Sequence, residues 1–223
     1  EGRPGWWLCQ SDGAQIMPDA FPSITPSSAE FSLATNTRVF TSPLSGTTQT
    51  LSLPGARWRA RLVFPPLIGS DKLTMQAFLT KLDGAAGRFY LGDPAYKLRG
   101  AAGAGGGTPL VNGASQTGTS LVTDGWTGSV TGVLKAGDYL SYDTSAGREL
   151  HMVTADANSD GSGNATFTIA PKIRTSPANN AAITYVSPTC IMRLVDDDQA
   201  KWALQAVKSD IAANISIDTV ETF

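Results

Sequence analysis

The chain has 223 residues and a mass of 23.3 kDa, with 41% hydrophobic and only 16% charged residues. A chain of this size buries ~70–75% of its unfolded surface and needs no disulfide or metal to hold a core. Charge is well below the usual ~25%, while 24 Thr, 20 Ser and 23 Gly predict a β-rich, turn-rich protein coated with hydroxyls. The net charge of −2 and pI near 5.3 argue against a dedicated nucleic-acid binder. No apolar run reaches ~18 residues, so no membrane span is expected, and no signal peptide is expected either.

Residues 1–17 read as an N-terminal extension or tag-derived arm, with Met17 a candidate natural start. Residues 18–28 carry three prolines, which predicts an extended arm. Strands follow at Thr37–Thr41 and Gln49–Leu53 around a turn at 42–46. Arg57–Phe64 alternates cleanly, with Trp58, Ala60, Leu62 and Phe64 on one face and Arg57, Arg59 and Arg61 on the other. The arginines suit a solvated or intersubunit face, because no aromatic platform alternates with them to bind nucleic acid.

One helix is expected, capped by Ser70 or Asp71, with Met75, Phe78, Leu79 and Leu82 on its core stripe and Gly84 as its stop. Gly100–Gly107 (GAAGAGGG) lacks the Lys-Ser/Thr of a phosphate loop and reads as a flexible connector. From 108 to 195, short strands recur about every ten residues: Ser120–Thr123, Asp138–Tyr142, Glu149–Thr154, Ala165–Ala170, Ala182–Val186 and Cys190–Val195. They predict a small antiparallel barrel. The tail alternates again, with Trp202, Leu204, Ala206 and then Ile211, Ala213, Ile215 and Ile217 about a turn at Ser209-Asp210, as a hairpin would. The expected fold is therefore mainly β with one α-helix. A split β-sandwich or barrel domain (18–99 with 199–223) carries an inserted small antiparallel β-barrel domain (100–198).

No catalytic constellation emerges, and no enzyme activity or cofactor is expected. The single histidine, His151, lies opposite Leu150 and Met152 on a strand and reads as an outward side chain. The four glutamates, Glu1, Glu30, Glu149 and Glu221, sit in no glycosidase context. Cys9 and Cys190 form no CxxC pair, which suits a reducing compartment. Asp156–Gly161 opens like a calcium loop (D-x-N-x-D-G), but Phe167 stands where the bidentate Glu belongs, so a hairpin turn is expected and no metal. Charge is unequal: residues 1–99 are net +3 and residues 100–223 net −5, which fits separately solvated domains or complementary faces of adjoining copies. Trp126, Tyr139 and Tyr142 read either as core or as a stacking platform for a host-surface glycan.

Several phrases together resemble the distal tail proteins of long-tailed, non-contractile bacteriophages. They are Phe40–Leu51 (FTSPLSGTTQTL), Pro54–Ala60 (PGARWRA) and Gly87–Pro94 (GRFYLGDP), followed by Val111–Gly118 (VNGASQTG), Asp124–Trp126 (DGW), Ala136–Leu140 (AGDYL) and Ala165–Pro177 (ATFTIAPKIRTSP). The resemblance runs from about residue 18 to the end. It implies a structural ring, hexameric in that family, at the distal end of the virion tail and assembled in the host cytoplasm. Such a ring joins the tail tube protein to baseplate hub and tip proteins, with DNA as passing cargo and no membrane partner. The family carries no catalytic residues to transfer. A DNA channel should not hold phosphate, so Arg57, Arg59 and Arg61 are expected to meet acidic groups of a neighbour instead of lining the bore.

Overall fold

A computed structural model describes residues 17–100, 106–199, 211–212 and 215–223. Residues 1–16, and with them most of the predicted extension, lie outside the described residues. So do most of the Gly-rich connector and the first strand of the tail hairpin.

The fold is mainly β with one helix, as alternation and turn content predict. The first sheet contains β1 (Asp19–Ala20), β2 (Ser28–Thr41), β3 (Thr48–Val63), β5 (Phe89–Leu91), β12 (Cys190–Leu194) and β14 (Ser216–Glu221). Their spatial order is β1-β5-β12-β14-β3-β2. The last strand thus returns to the first sheet, as the tail's alternation suggests. Cys190–Leu194 is also part of this sheet, pairing with β5 and β14, although its spacing continues that of the barrel strands.

The proline-containing arm is extended and docked. β1 pairs in parallel with β5, and Phe21 packs its ring 5.2 Å from Phe78 and 5.6 Å from Phe89. The two strands read at Gln49–Leu53 and Arg57–Phe64 are one 16-residue strand with a bulge between them. Gly55, at φ +104, takes the left-handed backbone that the bulge requires.

The helix α1 (Gly69–Lys81) follows a short strand, β4 (Leu67–Ile68), which pairs with β13 (Ile211–Ala212). Its N-cap position is the extended Ile68, which makes no side-chain cap; Ser70 and Asp71 lie inside the first turn, where Asp71 favours the positive end of the helix dipole. Left-handed Asp83 follows the C-cap Leu82, so it and not Gly84 takes the stop position. Met75, Phe78, Leu79 and Leu82 are buried in one cluster with Trp58, Leu62, Phe64 and Phe89.

The second sheet contains β6 (Gly107–Val111), β7 (Gly118–Trp126), β8 (Tyr139–Thr144), β9 (Gly147–Val153), β10 (Ala165–Ile173) and β11 (Ile183–Thr184). The order is β11-β8-β9-β10-β7-β6, and a bridge between Leu110 and Ala182 brings the two edges together into a nearly closed barrel. Its core holds Leu121, Trp126, Leu140, Tyr142, Val153 and Phe167. Gly107, read as connector, is already the first residue of β6.

The barrel is docked on the first sheet through its β8–β9 wall. Tyr139 and Leu150 belong to the first core, and Met152 packs against it. The Trp58 ring lies 5.5 Å from Tyr139, and its Nε1–H donates to the Leu150 carbonyl at 2.8 Å.

Phe64 is fully buried where arm, helix and sheet converge. Phe64→Ala is expected to cost about 3–5 kcal/mol in urea unfolding, through lost burial plus an unfilled cavity. An exposed-site cost below about 1 kcal/mol would contradict this packing.

Candidate functional site

The arginine strand presents its charged side on an uncovered sheet face, above an open cleft of about 910 Å³ that Arg57, Arg59, Arg61 and Arg193 line with Glu30 and Asp218. Cross-strand register divides the three sequence-predicted arginines. Arg61 stands between Glu30 on β2 and Asp218 on β14, with its Nε 3.8 Å from Asp218 Oδ1. Both side chains are about half exposed, so this pair contributes little stability. Arg57 stacks on the Phe223 ring, its guanidinium carbon 4.6 Å from the centroid. Arg59 is exposed, opposite Ser32 and Val220, and has no ionic partner among the described residues.

Beyond the bulge, β2 and β3 continue as a two-stranded ribbon, paired from Asn36–Leu53 to Thr41–Thr48. β14 pairs with β3 only over Arg59–Val63, so the ribbon has no further strand on either edge among the described residues. Its faces are open too. Val39 is 63% exposed, Phe40 76%, Leu44 99% and Leu51 60%. This cluster escapes sequence reading because alternation reports which residues share a face, not whether anything covers it.

The proposed glycan platform is not at the surface. Trp126, Tyr139 and Tyr142 are all buried. Trp126 packs on Phe167 and Tyr185 and donates Nε1–H to Thr123 Oγ1 at 2.7 Å. Tyr139 is wedged among Phe31, Trp58 and Tyr96; burial first, then the charge of Asp93, pushes its hydroxyl up to about 12. Tyr142 stacks on His151 inside the barrel.

His151 is a correction. It is fully buried, because Leu150 and Met152 point out of the barrel at the first sheet and leave His151 facing the barrel interior. Both faces of β9 are therefore covered. His151 Nδ1 donates to the Pro171 carbonyl at 2.9 Å, while Nε2 faces the Tyr142 hydroxyl at 2.8 Å and Glu149 Oε2 at 3.3 Å. Glu149, buried, also accepts from the backbone N–H of Arg174 and of Thr175. Burial alone would raise its carboxyl; the His151 hydrogen bond, the Arg174 charge and the two backbone donors outweigh that and hold it below 4.5. Arg174 in turn grips Glu221, with NH2 2.5 Å from Oε1 and NH1 3.2 Å from Oε2, while the Trp58 N–H donates to Glu221 Oε2 at 3.0 Å. Burial pushes the Glu221 carboxyl up, with Arg174 and the Trp58 amide opposing.

The calcium-like loop uses its oxygens internally. Asp156 Oδ1 accepts from Ala136 N–H, Asn158 Oδ1 from Gly132 N–H, and Asp160 from Ser162 and Asn164. These bonds tie the β9–β10 connection to the neighbouring turn. Among the described residues, no three His, Cys, Asp or Glu side chains gather as a metal set. Cys190 is buried, and burial pushes its thiol up, which makes it a packing residue and not a nucleophile. A cleft of about 540 Å³ between the two sheets contains Arg88 and Arg148. The first guanidinium bonds the carbonyls of Ala85, Ala86 and Gly87, and the second pairs with Asp143.

Glu149→Gln is expected to cost about 1–3 kcal/mol at pH 7, because its donors lose a charged acceptor. A depressed carboxyl contributes stability above 4.5 that is lost as pH falls through its folded value. The gap between wild type and variant in urea titrations should therefore shrink on acidification. The raised Glu221 runs the opposite way, its stability present at low pH and lost as pH rises, but it is common to both proteins and cancels. A gap that is constant from pH 7 to pH 3 would contradict the assignment.

No protein-family model and no curated protein matches this chain.

Proposed function

We propose that this chain is a self-assembling structural subunit of a phage tail tip. It would form a ring that joins the tail tube to the baseplate hub and surrounds the DNA channel. The observation that carries the reading is the ribbon formed by β2 and β3. A two-stranded ribbon without a third strand or a covering layer is marginal in water. This one holds four large apolar side chains in solvent. Both facts are relieved when a second copy covers it, and a closed ring supplies that cover to every subunit. The low charge content supports the same reading, since interface cores are depleted in charge.

In such a ring Arg59 meets a carboxylate of a neighbouring protein, because it has no ionic partner among the described residues. Arg57 and Arg61 are already engaged within the chain and stay with it. The DNA channel is then spared three phosphate-binding groups. The glycan-binding alternative gains no support, since its three rings are core residues.

Mass photometry of the purified chain, alone and with tail tube and hub proteins, tests the reading. A cyclic oligomer is the expected result. Phe40→Ser combined with Leu51→Ser should shift the population to monomer and leave the unfolding free energy of the monomer unchanged within about 0.5 kcal/mol. A wild-type chain that stays monomeric beside both partners sinks the proposal. An image of the ring with all three guanidinium groups facing the channel overturns the placement of the arginines.

A further inference from the structure

The barrel is joined to the first sheet by two crossings of the chain, and they run side by side. The first leaves β5 through Gly92-Asp93-Pro94, and the second enters β12 through Ser187-Pro188-Thr189. The backbones are so close that a Cβ on Gly92 would strike the Pro188 carbonyl. By Arg99 the first crossing already belongs to the barrel, since the N–H groups of Arg99 and Gly100 donate to the buried Asp138 carboxylate. The covalent connection is thus a narrow double strap, and it does not by itself fix how the barrel lies on the sheet.

Away from the strap, one buried ion pair crosses the junction, beside the Trp58 contacts with Tyr139 and Leu150 and the Arg148 guanidinium stacked on Tyr90. Arg174 is held on the barrel by its own N–H, which donates to Glu149. Its guanidinium reaches across to the first sheet, forks onto Glu221, and lies 4.3 Å from the Phe223 ring. Glu221 is fully buried. The pairs Arg61–Asp218, Lys81–Asp19 and Arg148–Asp143 each stay within one body, whereas Arg174–Glu221 spans the two. The Nε of Arg174 is buried without a hydrogen-bond partner, so this contact is not an optimised fixture of one continuous core.

We propose that Arg174 is the latch of a hinged barrel. When its pair with Glu221 opens, the barrel swings from the first sheet on the double strap as a folded unit, separating Tyr139 and Leu150 from Trp58 and Phe31.

Two neighbouring positions on β9 distinguish hinge opening from unfolding. Leu150 faces the first core and Val153 faces the barrel core, and both are fully buried. Leu150→Cys and Val153→Cys are placed separately in a Cys9→Ser, Cys190→Ala background, and labelling by a thiol reagent is timed under native conditions. Removing one member of a buried ion pair costs about 3–5 kcal/mol, so Arg174→Met should speed labelling at 150 by about 10²–10⁴-fold. Labelling at 153 should keep its wild-type rate. Adding Glu221→Gln to Arg174→Met removes the stranded charge and keeps an acceptor for the Trp58 N–H but does not restore the pair; labelling at 150 should then slow yet stay at least about tenfold above wild type. Equal acceleration at 150 and 153 means that the pair holds up a common core and overturns the hinge. No acceleration at 150, or full recovery of the wild-type rate with Glu221→Gln, overturns the latch.

Discussion

Trp58 is the point on which the arrangement of the two β-bodies depends. Its indole is buried between Phe31, 5.1 Å away on β2, and Tyr139 on the barrel. A buried indole N–H needs an acceptor, and this one finds the carbonyl of Leu150 on the opposing body. The same residue's backbone N–H holds Glu221, the acceptor for Arg174. Apolar burial, a neutral hydrogen bond and an ion pair therefore meet at one position of β3. The β8–β9 wall of the barrel supplies the ring and the carbonyl that this position meets.

Features that depend on local pattern are legible in the sequence. The alternation of Arg57–Phe64 correctly separates buried Trp58, Ala60, Leu62 and Phe64 from the arginines. The i, i+3, i+4, i+7 spacing finds the helix and its buried stripe. What fails is any inference that needs to know which side of an element is wet. For β9, alternation places His151 opposite Leu150, and the face opposite an apolar one is ordinarily solvent. Docking covers both faces, so the polar residue ends up in the barrel core. Trp126 and Tyr139 are buried, as the core reading of these rings expects, and burial is what separates that reading from a stacking platform. The junction network has no local signature at all: Arg174 is 25 residues from Glu149 and 47 from Glu221. Cys190–Leu194 continues the ten-residue rhythm of the barrel strands, and only pairing with distant strands assigns it to the first sheet.

The sparse charge has a pattern. Thr and Ser dominate the ribbon, where β-branching and hydroxyl pairs such as Thr41–Thr48 favour extended backbone without a core beneath. The open face of the first sheet instead gathers Glu30, Arg57, Arg59, Arg61, Arg193 and Asp218. A threonine-rich ribbon carrying Phe40 and Leu44 favours extended backbone, yet has much apolar surface left to bury. That balance suits a subunit that folds first and assembles afterwards, as the proposed ring requires.

A buried histidine with a glutamate and a tyrosine in contact is the kind of cluster that ordinarily suggests chemistry. Here its members are also tied into the fold. His151, Glu149 and Tyr142 are sealed from solvent, and their polar atoms are taken up by the Pro171 carbonyl, by the backbone N–H groups of Arg174 and Thr175, and by one another. What such a network does supply is a unique geometry. Apolar contacts among Trp58, Tyr139 and Leu150 tolerate sliding, whereas a forked guanidinium on a carboxylate has one satisfactory register. Replacing a buried pair by well-packed apolar groups is often neutral for stability, so what Arg174–Glu221 adds beyond holding the barrel down is the choice of one docked register. The unpartnered Arg174 Nε fits that view: the contact is specific, and it is not the tightest that this junction could hold.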